Sequence, residues 1–177
     1  MTVDLSAIAK GYAVDKLAEY LDGLGAESYF LEIGGELKIK GVKRNGDSWV
    51  PAIEAPVDGV SRVYEIFYSR GETIAVAGSG DYRNYFEQDG VRYSHEIDPR
   101  TGRPVTHQLA ATYVIDESAA RADALATAYM IMGLDEARSL ALRNNQAAYF
   151  IVKEGDGFAD HVTPTFLRYL SDAGARE

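Results

Sequence analysis

Between two stretches of helical periodicity, residues 9–24 and 118–132, the chain carries short segments of strand character, each closed by glycine, proline or aspartate. Strands joined by such short turns pair antiparallel, because a parallel partner needs a crossover of a dozen or more residues. Ser28–Ile33 and Glu36–Gly41 read as a hairpin around the tight turn Gly34-Gly35, and Trp49–Glu54 and Val63–Tyr68 continue the sheet pattern around a loop at Pro56–Gly59. The apolar run Glu72–Ala77 ends at Gly78-Ser79-Gly80-Asp81, where two glycines around a serine suit unusual backbone angles. Tyr82–Glu87 and Val91–His95 read as a hairpin about Asp89-Gly90, and Leu109–Ile115 as a strand beyond the turn-rich Asp98–Pro104.

The helical segments supply the other layer. The first carries Tyr12, Val14, Leu17, Leu21 and Leu24 at helical spacing, with Gly23 and Gly25 as stop positions. The second sets Ala122, Leu125, Ala126, Tyr129 and Met130 on one side and closes at Gly133. Asp135–Asn144 reads as a third helix, Ala147–Lys153 as a strand and Pro164–Ser171 as a short terminal helix. The pattern predicts an α+β fold, one domain over residues 1–177, with helices packed on a mainly antiparallel sheet.

Charge and composition narrow the functions. With 27 acidic against 18 basic residues, a net charge of −9 and no basic run, the chain offers no nucleic-acid face and no anchor for an anionic membrane. The absence of cysteine excludes disulfides, thiolate zinc and iron–sulfur clusters. No apolar stretch approaches a membrane span and no export signal opens the chain, so it reads as soluble. Its opening residues run straight into what reads as a strand end, which predicts a piece of a longer protein. The strings G-x-S-x-G, HExxH, G-x-G-x-x-G and GxxxxGK[ST] are all missing.

Four places carry chemistry. Asp123 and Thr127, one turn apart on the second long helix, present a carboxylate and a hydroxyl on one face, a pair able to meet an oxygen-loving cation. On this pair alone the structural reading outweighs the metal one: Thr127 can bond back to the preceding turn and Asp123 can favour the helix dipole. Asp4-Leu5-Ser6-Ala7-Ile8-Ala9-Lys10-Gly11 reads as a strand end entering a helix, where free N–H groups and Lys10 suit an anion; Asp4 or Ser6 serves as well as a plain N-cap. Ser79 and Gly80 lie where backbone approaches a ligand or merely turns. His95, in Ser94-His95-Glu96-Ile97-Asp98-Pro99, is the natural proton acceptor near neutral pH, whereas His107 and His161 read as structural.

In order, Asp4–Asp15, Glu32-Ile33-Gly34-Gly35-Glu36, Ser79–Phe86, Ser94–Gly102 and Ala122–Thr127 resemble the successive motifs of the ApbE family of FAD:protein FMN transferases. The resemblance covers nearly the whole chain, although family members are longer and carry an N-terminal part. It implies a T-fold-like α+β domain that binds FAD as substrate, with Mg²⁺ against the pyrophosphate. Carried over by position, Asp123, Thr127 and the backbone carbonyl of Ala7 hold the metal. Asp4, Lys10, Ile97, Ser79 and Gly80 lie against FAD, and His95 takes the proton.

The implied reaction moves FMN to a threonine or serine hydroxyl of a target flavoprotein and releases AMP. The implied parent is exported, as a periplasmic enzyme or a membrane-anchored lipoprotein. Two positions depart from the pattern: Ala126, where some relatives carry a second aspartate, and Gly78, where threonine is common. A magnesium-dependent FAD pyrophosphatase and a non-catalytic FAD-binding fragment are the alternatives.

Overall fold

The computed structural model describes residues 4–57, 62–80 and 96–170, together with the strand backbone at 85–88 and 91–94. Its centre is a six-stranded sheet ordered β1 (Tyr29–Ile33), β2 (Glu36–Lys40), β5 (Ile74–Gly80), β10 (Leu109–Asp116), β11 (Ala147–Glu154), β12 (Gly157–Val162). Every neighbouring pair is antiparallel. Helices α1 (Ala9–Gly23), α2 (Ala119–Met132) and α3 (Leu134–Arg143) pack on one face. The opposite face carries α4 (Pro164–Leu170) and a two-stranded ladder of β3 (Ala52–Glu54) and β4 (Val63–Ile66). The α+β, mainly antiparallel architecture read from the sequence is the architecture observed.

Alternation along the strands sorts side chains between the faces. In β11, Ala147, Tyr149 and Ile151 enter the core beneath α4, while Ala148 and Phe150 enter the core beneath α2 and α3. In β10, Ala111 and Ile115 go one way and Val114 the other, and a register shift between Leu109 and Ala111 returns Leu109 to the helical side. Each large side chain so buried contributes roughly 1.5–3 kcal/mol.

The helix boundaries follow their end signals. Gly25, at φ +79°, ends α1: its N–H donates to the Asp22 carbonyl while that of Ala26 donates to the Leu21 carbonyl, the paired bonds of a Schellman turn. The other expected stop, Gly23, is still helical. Ser118 caps α2, its hydroxyl accepting from the Arg121 N–H.

Several expectations change. β3 and β4 form their own ladder across the sheet rather than extending it. Gly78-Ser79-Gly80 is no turn: it is the end of β5, paired with Tyr113, Thr112 and Ala111 of β10. Gly78 is required by close approach, since a Cβ there would lie 2.7 Å from the Tyr113 ring. The residues before α1 turn rather than end a strand. Strand β12 went unread because Gly157–Val162 mixes glycine, aspartate and histidine with few β-formers; its pairing with β11 supplies what propensity lacks. The hairpin expected at 82–95 appears as β6 (Tyr85–Gln88) and β7 (Val91–Ser94).

Candidate functional site

Helix α1 begins without a side-chain cap at Ile8. The preceding turn is closed by the Leu5 carbonyl, which accepts from the N–H groups of Ile8 (3.1 Å) and Ala9 (2.9 Å). Asp4 accepts the Ser6 N–H at 2.7 Å, and hydrogen bonding from Ser6 holds its exposed carboxyl below the usual aspartate value. Neither Asp4 nor Ser6 caps the helix. The N–H of Gly11, in the first turn, instead donates to Oδ2 of Asp123 at 2.9 Å. Asp123, only 4% exposed, thus serves the N-terminus of α1 rather than that of its own helix.

The exchange is mutual. Asp15, one turn beyond Gly11 on α1, accepts the N–H groups of Ala119 (2.9 Å) and Ala120 (3.0 Å) and the hydroxyl of Ser118 (2.7 Å), all at the start of α2. Lys38 of β2 adds an ion pair at 3.2 Å. Burial pushes the Asp15 carboxyl up, but the bonds from Ala120, Ala119, Ser118 and Lys38 outweigh it and hold the group below its ordinary value. The helices meet so closely that a Cβ on Gly11 would lie 2.3 Å from the Ala119 carbonyl oxygen.

Lys10 stands at the same helix start, its side chain 47% exposed, with Nζ 2.7 Å from Oε1 of Glu36 and 3.5 Å from the Gly34 carbonyl. Glu36 is 1% exposed, and its second oxygen, Oε2, is buried without a hydrogen-bond partner. Burial raises the Glu36 carboxyl; the bond and charge of Lys10 lower it in part, and the nearby charge of Asp123 adds to the rise. Two buried carboxylates, Glu36 and Asp123, therefore lie near one another with Lys10 paired to Glu36.

Further along the sheet, Ser79 donates to Oε1 of the buried Glu96 at 2.7 Å. Its cross-strand neighbour Thr112, fully buried, donates to the Ala126 carbonyl of α2 at 2.9 Å, tying β10 to the turn that carries Thr127. Ile97 is exposed on β8 (Ile97–Asp98), which pairs with β9 (Arg103–Pro104). A cavity of about 710 Å³ opens against the sheet, lined in part by Gly34, Gly35, Ser79, Gly80, Ile53 and Tyr113. Lys10 reaches its rim through Gly34.

The family model for ApbE matches residues 1–151. The chain belongs to the ApbE family. Among ApbE relatives, the FAD:protein FMN transferase of Vibrio cholerae is 48% identical over 169 residues, covering 96% of this chain and 50% of that protein. The FAD:protein FMN transferase of Escherichia coli K12 is 40% identical over 168 residues, covering 95% of this chain and 47% of that protein. The structure resembles that of the flavinyl transferase ApbE of Pseudomonas stutzeri in its apo form (47% identity, TM-score 0.83, 96% of this chain and 51% of that one). It also resembles the ApbE protein of Thermotoga maritima (34% identity, TM-score 0.83, 97% and 54%). The chain spans about half the length of the curated relatives it matches.

Within this ApbE chain, Lys10 and Asp123 are joined through Gly11, Thr127 follows one turn along α2, and Ala7 lies in the turn that enters α1. Ser79 and Gly80 line the cavity, whereas Asp4, Ala7, Lys10, Asp123 and Thr127 are not among its lining residues. His95 lies outside the described residues. Among the described residues, no three histidine or acidic side chains gather closely enough to hold a metal, so an ion at Asp123 would draw on neutral oxygens. No described helix is long and apolar enough to cross a membrane.

Sequence reasoning passed over Asp15, Glu36 and Glu96 as individuals. Glu36 shares the alternating face of Glu36-Leu37-Lys38-Ile39-Lys40, which looks solvated; that face in fact meets α1, where Asp15 pairs with Lys38 and Asp22 with Lys40. Opposite charges on a helix and a neighbouring strand were the available signal.

Proposed function

We propose that this chain carries the metal- and diphosphate-holding part of a magnesium-dependent FAD:protein FMN transferase. The observation that supports this most is the bond from Gly11 to Asp123, which makes the start of α1 and the middle of α2 one constellation. Asp123, Thr127 and the carbonyl of Ala7 would hold Mg²⁺: one carboxylate with neutral oxygens is a hard donor set that suits this ion beside a phosphate. The orphaned Oε2 of Glu36, next to the charge of Asp123, leaves the neighbourhood short of positive charge. Mg²⁺, when bound, supplies charge neutralisation at the diphosphate.

The remaining work belongs to the chain. Lys10, held by Glu36 yet half exposed, steadies the diphosphate of FAD. Asp4, Ile97, Ser79 and Gly80 lie against the nucleotide. His95 accepts the proton of a threonine or serine hydroxyl on the target flavoprotein; the oxygen bonds to the FMN phosphorus as the bond to AMP breaks, and AMP leaves.

Incubating the protein with FAD, Mg²⁺ and a flavoprotein bearing an acceptor threonine or serine should add one FMN mass to the acceptor and release AMP. Free FMN with AMP would establish a pyrophosphatase instead. Bound, unreacted FAD would mark a non-catalytic binding fragment.

A further inference from the structure

We infer that Asp15 is a positioning residue for the metal site: by gripping the start of α2 from α1, it sets where Asp123 and Thr127 stand relative to the turn that holds Ala7. The inference rests on the metal reading above. Asp15 meets neither the cavity nor the diphosphate lysine; its carboxylate is spent on the Ser118 hydroxyl, two N–H groups of α2 and Lys38. Asp123 sits one turn from Ala119 along α2, and Gly11 one turn from Asp15 along α1. The bonds from the Ala119 N–H to Asp15 and from the Gly11 N–H to Asp123 therefore form two rungs between the same pair of turns.

This geometry fixes both the separation and the axial register of the helices. The register is sharply defined, because a methyl group on Gly11 would already collide with the Ala119 carbonyl. Losing one rung lets α2 slide or rotate against α1, and the only carboxylate expected on the ion moves with it. Groups that hydrogen-bond metal ligands directly change metal affinity by about 10- to 100-fold when removed, and that range sets the scale for a group that fixes the helix bearing the ligands.

The test compares Asp15→Asn with Asp123→Ala and with Ile39→Val, the last a loss of packing on the opposite face of the sheet. Direct Mn²⁺ binding, followed by electron paramagnetic resonance in the absence of FAD, is measured beside the melting temperature of each protein. Asp15→Asn should weaken Mn²⁺ binding at least about tenfold while the fold persists, and Ile39→Val should lower the melting temperature with binding unchanged.

If Asp15→Asn binds Mn²⁺ as the parent does while Asp123→Ala does not, the positioning role is wrong and the metal reading stands. If Ile39→Val weakens binding as much as Asp15→Asn, the effect is general loosening and the inference also falls. If Asp123→Ala binds Mn²⁺ normally, the metal reading itself fails, and this inference with it.

Discussion

Two regions of the molecule, the α4 side of the central sheet and the seat of α1 on the other side, are held by different physics. On the side of α4, the core is aromatic and aliphatic: Phe166 packs against Phe67, Tyr149 and Tyr169 at centroid distances of 6.0, 5.4 and 6.3 Å, and Ile39, Ile53 and Ile151 fill the space between. Beneath α1 itself the buried apolar cluster is small, Val14 with Ala75 and Ala119, and the helix is fastened by Asp15, Asp123, Lys38 and the Lys10–Glu36 pair, whereas the neighbouring α2 and α3 rest on an apolar core of their own. Apolar packing is tolerant of direction, whereas hydrogen bonds to helix ends fix an angle and a register. The region proposed to bind the ion and the diphosphate, the junction of α1 with α2, is the one whose geometry is specified by polar contacts.

The largest test of this contrast is Asp123→Ala. Losing several kcal/mol of charge stabilisation corresponds to a fall in FMN transfer of about a hundredfold or more, read by mass spectrometry of the acceptor. Phe166→Ala should do the reverse. It should cost about 3–5 kcal/mol in denaturant unfolding through the cavity it leaves, with the Mn²⁺ affinity of the folded fraction unchanged. A shift of that affinity would show that the α4 core and the α1–α2 junction are not independent.

How much of this was legible beforehand depended on the range of the interaction. The extents of the helices and the Gly34-Gly35 hairpin rest on neighbours within a few residues and were read from local pattern. The link from Gly11 to Asp123 spans 112 positions, and no local pattern announces it. Gly78-Ser79-Gly80 misled because glycine signals both turns and close contacts, and only the pairing of β5 with β10 shows that Tyr113 occupies the missing side chain's place. Asp123 stood out in the sequence as a candidate for chemistry, while its hydrogen bond to another helix was invisible until the topology was known.

Gly11→Ala sharpens the comparison at intermediate scale. The added methyl would lie 2.6 Å from the Ala119 carbonyl carbon and 2.8 Å from the Ala120 Cα, so α1 must move away from α2. Such overpacking costs about 1–3 kcal/mol, measurable by thermal unfolding, and it should weaken Mn²⁺ binding where Phe166→Ala does not. The smallest effect is in pH. The Asp15 carboxyl is depressed in the folded protein, so its contribution is complete above its ordinary value of 3.8 and is lost as pH falls through and below that value. Asp15→Asn should flatten this acid limb of a stability–pH curve followed by circular dichroism. An unchanged limb would mean that the grip on α2 carries no net charge dependence.

The contact between Gly78 and Tyr113 has its own consequence for evolution of the cavity. Tyr113 spans from β10 to the Glu54 carbonyl of β3, accepting no side chain beneath its ring. A threonine at position 78 would need the ring to swing aside or shrink, and both residues line the cavity wall. Positions 78 and 113 should therefore exchange volume across the family: where one grows, the other gives way, and the room left for a ligand is redistributed along the strand pair rather than simply gained or lost.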